Sequence, residues 1–144
     1  MKGSKIMVVD DEAGIRDILS EILAVKGFEV TSAKDGMESL RYMRTKNYDL
    51  VVTDINMPHL NGIELLKKMK KAGRKEKIVI MTGSAFELPD HNNDMPMIYF
   101  QLKKPFKIDD FLHVVSSVLK SKRSGARVNP IKKAGRKNEK CYIN

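Results

Sequence analysis

Four times in this chain a short apolar run breaks off on a polar or charged residue and then on a loop. Ile6-Met7-Val8-Val9 runs into Asp10-Asp11, and Leu50-Val51-Val52-Thr53 runs into Asp54. Ile78-Val79-Ile80-Met81 runs into Thr82-Gly83-Ser84, and Tyr99-Phe100-Gln101-Leu102 runs into Lys103-Lys104-Pro105. Short runs rich in β-branched residues read as buried strands, and the Gly and Pro that follow stop regular structure. Any one of these polar residues, taken alone, reads as an N-cap, a turn residue or a solvated charge. Four of them at the same end of four strands point instead to a site, because open parallel sheets build their sites outside the carboxyl ends of the strands.

The segments between the strands carry helical spacing. Ile15, Ile18, Leu19, Ile22 and Leu23 form an apolar stripe with Arg16, Asp17 and Glu21 outside it, and Gly27 suits the left-handed position that ends a helix. Phe28 to Thr31 is a second short strand. Asp35 is placed to cap a helix carrying Leu40 and Met43. Tyr48 to Thr53 is the third strand. After the Pro58 loop and the Asn61-Gly62 turn, a helix over 63–72 buries Leu65, Leu66 and Met69 and exposes Lys67, Lys68, Lys70 and Lys71 as a solvated face. Phe86 to Met97 should hold the helix between strands four and five, yet Pro89, Asn92, Asn93 and Pro96 oppose one, so a short or distorted helix is expected. A last helix over 108–119 turns Ile108, Phe111, Leu112, Val115 and Val118 inward. Five strands alternating with helices predict an α/β fold with a doubly wound, five-stranded parallel sheet. The Asp-rich ends of strands one and three suit strand order 2-1-3-4-5, whose switch point lies between those two strands.

Charge divides the chain. Residues 1–119 hold 18 Lys and Arg against 17 Asp and Glu, whereas residues 120–144 hold nine basic residues and only Glu139. The division predicted is a domain over 1–120 and a basic, flexible tail over 121–144, where Gly, Ser, Pro and Asn mix with Lys and Arg without periodicity. The apolar runs are of strand length, so no transmembrane segment is expected, and the start of the chain lacks the apolar core of a signal peptide. The single Cys141 excludes an internal disulfide framework and a Cys-rich metal site. A cytoplasmic location is expected.

Asp10, Asp11 and Asp54 would lie within a few ångströms of one another, and like charges that close need a cation. Hard carboxylate oxygens favour Mg²⁺, which binds through one or two carboxylates, waters and a phosphate. Lys104 supplies a point charge for a phosphoryl oxygen and Thr82 a hydroxyl donor, while Gly83 leaves room for an incoming group. His59, His91 and His113 share no spacing that would make a zinc or copper site. Together these residues make a phosphoryl-transfer site acting by position and charge neutralisation, in which a carboxylate can itself be the nucleophile. No glycine-rich phosphate loop occurs, so a nucleotide is not the evident donor.

With Asp10-Asp11-Glu12, Asp54 in Asp-Ile-Asn-Met-Pro, Gly62, Thr82-Gly83 and Lys104-Pro105-Phe106, the chain resembles the receiver domains of bacterial response regulators, the CheY-like superfamily with its flavodoxin-like (βα)5 fold, over roughly residues 4–120. The resemblance implies a member of a two-component or phosphorelay pathway. Asp54 would take a phosphoryl group from the phosphohistidine of a sensor histidine kinase or histidine phosphotransfer protein. Asp10, Asp11, Asp54 and the backbone carbonyl of Asn56 would hold Mg²⁺, Thr82 and Lys104 would bind the phosphoryl oxygens, and the Lys104–Pro105 peptide would be cis. Asn56 and Ser84 stand where the family tunes hydrolysis. Such a protein catalyses only its own phosphorylation and dephosphorylation and is not an enzyme with a separate substrate; its downstream protein partner is unknown.

The family's switch pairs the Thr82 position with an aromatic residue where this chain has Gln101. Strict alternation puts Tyr99 on the same strand face, so Tyr99 is the candidate substitute, with a permanently polar face the competing reading. The alternative function is a receiver-fold binding module that no longer switches. The basic tail is either inert or binds nucleic acid, an acidic partner or an anionic membrane surface, and Tyr142 is its one aromatic residue. An aspartate-nucleophile phosphatase of the haloacid dehalogenase type is the enzymatic rival; it would need an acid at Asn56.

Overall fold

The computed structural model describes residues 3–83, 94–121 and 142–143. Five parallel strands, β1 (Lys5–Val9), β2 (Glu29–Ala33), β3 (Leu50–Asp54), β4 (Lys77–Thr82) and β5 (Ile98–Lys103), form one sheet in the order β2-β1-β3-β4-β5. The expected strand order is the observed one. Leu50 to Asp54 and Ile78 to Thr82 are buried throughout, which is what central strands covered on both faces require.

Helices α1 (Ala13–Val25), α2 (Gly36–Met43), α3 (Gly62–Lys71) and α4 (Ile108–Lys120) cover the sheet. One core joins Ile6, Val8, Leu50, Val52 and Val79 of the sheet to Leu19 and Leu23 of α1 and to Phe111, Val115 and Val118 of α4. The other joins Met7, Val9, Val51, Ile78 and Ile80 to Met43 of α2 and to Leu65, Leu66 and Met69 of α3. Alternate residues of each central strand thus feed opposite cores, as the pleat dictates.

The helix ends obey local chemistry. The Asp35 side chain accepts a hydrogen bond from the Glu38 amide at 2.8 Å and the Asn61 side chain one from the Glu64 amide at 2.9 Å, so both act as N-caps. Gly27 follows α1 at φ 91°, a conformation that a side chain would strain. Ile18 departs from the expected stripe: it is 45% exposed because it lies on the flank of the face defined by Ile15, Leu19 and Leu23.

Residues 86–93 of the expected fourth helix lie outside the described residues, and Asp94 to Met97 are turn and coil. Most of the expected tail, 122–141, also lies outside them. Tyr142–Ile143, which composition placed in a flexible tail, forms a short strand, β7, antiparallel to β6 (Phe106–Lys107). Among the described residues no helix is long and apolar enough to cross a membrane.

Candidate phosphoacceptor and metal site

The carboxyl ends of β1, β3, β4 and β5 deliver the site. Asp10 follows β1 and is fully buried, its amide donating to the Ala33 carbonyl at 3.1 Å. Its Oδ1 accepts from the Glu12 amide at 2.9 Å, which fixes the side chain before any ligand arrives. Asp54 is the last residue of β3, and its Oδ1 accepts from the Ile55 amide at 2.7 Å and from the Asn56 amide at 3.3 Å. Lys104 reaches across from beyond β5, with Nζ 2.9 Å from Asp10 Oδ2 and 3.2 Å from Asp54 Oδ2. Asp11 is exposed, yet Asp10, Asp11 and Asp54 each bring one carboxylate oxygen to within 4.8 Å of the others.

Thr82 closes β4 and is buried, and its carbonyl accepts from the Lys104 amide at 2.7 Å. The β4 end is thereby tied to Lys104, the residue that precedes the cis bond to Pro105, and the cis geometry agrees with the expectation from the motif. Among the described residues nothing lies within 4 Å of a Cβ placed on Gly83, beside Thr82. Asn56 is exposed in the loop after Asp54, and Ser84 lies outside the described residues.

Three buried charges, Asp10, Asp54 and Lys104, set the electrostatics. Burial pushes the Asp54 carboxyl above the ordinary carboxylate range; attraction to Lys104 opposes this, and the charge of Asp10 adds to it. Burial alone would lower Lys104, but its hydrogen bond and attraction to Asp10, with the attraction of Asp54, outweigh that and hold its amine above its usual value. Lys104 is therefore a permanent cation in a site with too much negative charge for one lysine to balance.

Gly62 shapes the loop after Asp54. Its amide donates to the Ile55 carbonyl at 2.9 Å, folding residues 56–61 back over the end of β3. A Cβ there would stand 2.3 Å from the Asp54 carbonyl oxygen and 2.8 Å from Ile55 Cα, and neither backbone atom can yield. Gly62→Ala is expected to cost about 2–3 kcal/mol through overpacking. A lowered urea midpoint at unchanged slope would register it; an unaltered midpoint would mean the loop has room to move.

The family model described as the response regulator receiver domain matches residues 6–116. The chain belongs to that family. Sporulation initiation phosphotransferase F of Bacillus subtilis is 31% identical over 120 residues, covering 83% of this chain and 96% of the relative. Transcriptional regulatory protein DltR of Streptococcus agalactiae is 34% identical over 109 residues, 75% of this chain, and there the match spans only 48% of the longer relative. Response regulator protein TrrA from Thermotoga maritima, solved in complex with Mg(2+)-BeF, superposes with a TM-score of 0.70 at 32% identity, covering 80% of this chain and 98% of that one. The receiver is thus a two-component response-regulator module with a CheY-like fold.

Two of the expected switch residues are not brought to the receiver's acidic pocket. Thr82 pairs with Lys103, Met81 with Leu102 and Ile80 with Gln101, so exposed Gln101 lies two pairs below Thr82. Tyr99 lies lower still, within the register shift between Ile78 and Val79, with the Lys77 amine 5.7 Å from its ring centre. That shift breaks the alternation that would have put Tyr99 beside Gln101: Tyr99 instead shares a core with Leu102. Sequence reasoning missed Arg16, placed outside α1's apolar stripe, whose Nη1 donates to the Asp10 carbonyl at 2.7 Å. A contact to a backbone oxygen leaves no side-chain pattern to find.

Proposed function

We propose that this receiver is a phosphorylation-controlled switch or phosphorelay intermediate in which Asp54 is the phosphoacceptor. The reading rests on one observation above the others: a buried lysine spans two buried carboxylates at the switch point of the sheet, with a third carboxylate at the mouth. In the transfer, an Asp54 carboxylate oxygen forms a bond to phosphorus as the bond from phosphorus to the donor's imidazole nitrogen breaks. The nitrogen keeps that electron pair. Asp54 Oδ1 is held by two amides, so Oδ2, which faces Lys104, is the oxygen that reacts. Lys104 and Thr82 then take the phosphoryl oxygens. The adduct adds roughly −1.5 to −2 charge at the ends of β3, β4 and β5.

The donor set suits Mg²⁺: three carboxylates and the Asn56 carbonyl are hard oxygens, and the relative solved with Mg(2+)-BeF has the same fold. When bound, the metal neutralises charge on the carboxylates and the incoming phosphoryl group. The donor would be the phosphohistidine of a sensor histidine kinase or phosphotransfer protein, and the output a protein contact. Exposed Gln101 at the switch position favours a second reading, a receiver that binds its partner equally with or without the phosphoryl group.

Intact mass after incubation with acetyl phosphate and Mg²⁺ tests the reading. One added phosphoryl group, abolished by EDTA, is the expected result; no gain in a folded sample would leave the non-switching module. The metal also has a pH signature. Burial makes the folded chain hold the Asp54 proton longer than the unfolded one does, so this group's contribution to folding is present below 3.8 and is lost as pH rises through its raised native value. Metal binding needs the ionised form. Calorimetric titration is expected to show Mg²⁺ affinity climbing with pH above the ordinary carboxylate range; a flat profile would remove Asp54 from the ligand set.

A further inference from the structure

The carboxyl ends of α2 and α3 lie at the end of the sheet opposite the phosphoacceptor pocket, because each helix returns the chain to the start of the next parallel strand. Leu50 of β3 pairs with Lys77 of β4, so the segments leading into these two strands are neighbours. Arg74 joins them. Its Nη1 donates to the Met43 carbonyl at 2.8 Å and its Nη2 to the Lys46 carbonyl at 2.9 Å, while buried Glu76 accepts from its Nε at 2.9 Å. Arg74 is thus engaged inside the protein, and it sets two helix ends side by side.

The surface so formed is basic. Lys67, Lys68, Lys70 and Lys71 of α3 are exposed, as the burial of Leu65, Leu66 and Met69 on the other side of the helix requires. Lys75 beyond α3 is exposed too, and so are Arg41 and Arg44 at the end of α2. None of these cations has an ion-pair partner among the described residues. The acids nearby are engaged: Glu76 with Arg74, Glu29 with Lys46, and Asp49 with the Lys5 amide. The helix macrodipole favours cations in a last turn, which accounts for Arg41, Lys68, Lys70 and Lys71. It does not account for Arg44, Lys67 and Lys75, nor for the bridge between the two ends. Residues 1–119 hold 18 bases against 17 acids, so this density is local.

The chemistry of the surface selects its partner. From Lys67 to Lys75 every exposed residue is a lysine, Ala72 or Gly73. A bilayer surface is held by cations together with Trp, Phe or Leu that enter it, and a protein interface has a core poor in charge. Neither has a counterpart here beyond Tyr42 of α2, 40% exposed. Single strands of nucleic acid also want aromatic rings to stack on. The phosphates of a duplex need only cations, and they release counterions when met. We propose that the joined carboxyl ends of α2 and α3 are a sequence-independent contact for the phosphate backbone of a DNA duplex. The contact leaves the acidic pocket free and does not depend on the phosphoryl-transfer reading.

Fluorescence anisotropy of a labelled random-sequence DNA duplex, titrated with the full chain between about 50 and 200 mM salt, tests it. The wild type is compared with K67Q/K68Q/K70Q/K71Q and with K26Q/K34Q/K103Q/K120Q, which removes the same charge from exposed lysines away from this surface. Wild-type affinity is expected to fall steeply with salt. The α3 variant should bind at least about tenfold more weakly near 50 mM, with a salt slope flatter by about 0.9 for each lysine that meets a phosphate. The control should stay within about threefold of wild type. Unchanged far-UV circular dichroism shows that the variants fold. Equal binding by the wild type and the α3 variant would overturn the proposal. An equal loss in the control would also overturn it, making binding a matter of total charge. A wild type that ignores the duplex would do the same, retention on phosphatidylserine vesicles then assigning the surface to a membrane and retention on polyglutamate to an acidic protein.

Discussion

Asp54→Asn is expected to abolish the phosphoryl adduct while making the fold more stable. The substitution keeps the shape of the side chain and an oxygen to accept from the Ile55 and Asn56 amides. It removes the anionic nucleophile, so intact mass after acetyl phosphate and Mg²⁺ should show no gain where the wild type gains one phosphoryl group. An adduct at the wild-type level would move the acceptor elsewhere. The stability effect follows from burial: Asp54 is 6% exposed and its charge lies in the same pocket as that of Asp10. Neutralising it while the Asp10–Lys104 pair remains should raise stability by about 1–2 kcal/mol at neutral pH. The sign in pH is fixed. Wild-type Asp54 has a raised native value, so the wild type loses stability as pH rises through that value and the variant does not. The advantage of the variant should grow with pH and vanish in acid. Destabilisation at neutral pH would mean that attraction to Lys104 outweighs desolvation.

Much of the receiver is legible in its sequence because burial on both faces leaves a coarse signal. Val51, Val52, Ile78 and Ile80 can belong to nothing but central strands, and the polar residues that end those strands then fall together by topology alone. Asp10, Asp54 and Lys104 were reachable in this way although 94 positions separate the first from the last. The parts that were not legible depend on exceptions to periodicity. Tyr99 shares a core with Leu102 rather than a face with Gln101 because of a register shift, and neither Gly nor Pro marks it in the sequence. Arg16 works through a backbone carbonyl, and Gly62 through the close approach of two backbone atoms. Tyr142–Ile143 is too short and too far from its partner strand for alternation to register.

Lys104→Met should be the most destabilising single change at the site, and the most sensitive to pH and metal. Methionine fills a similar volume and leaves the backbone bond to Thr82 intact, so the loss isolates the charge. The wild-type amine lies 2.9 Å from Asp10, which is fully buried, and 3.2 Å from Asp54. Without it two carboxylates face each other with no cation. Removing one partner of a buried ion pair costs about 3–5 kcal/mol, most of it the penalty of the charge left behind. Asp54, whose native value burial already raises, escapes the penalty by protonation, so stability is kept in acid and lost as pH climbs through that value. The deficit in urea midpoint against wild type is expected to be small near pH 4 and large at pH 8. Mg²⁺ offers a second escape, because the two carboxylates that Lys104 neutralises are among those that would hold the cation. Millimolar Mg²⁺ should therefore stabilise the variant more than the wild type, by an increment that grows with the logarithm of its concentration. A deficit that ignores both pH and Mg²⁺ would mean that Lys104 acts by packing, and would remove the acidic pocket as a cation site.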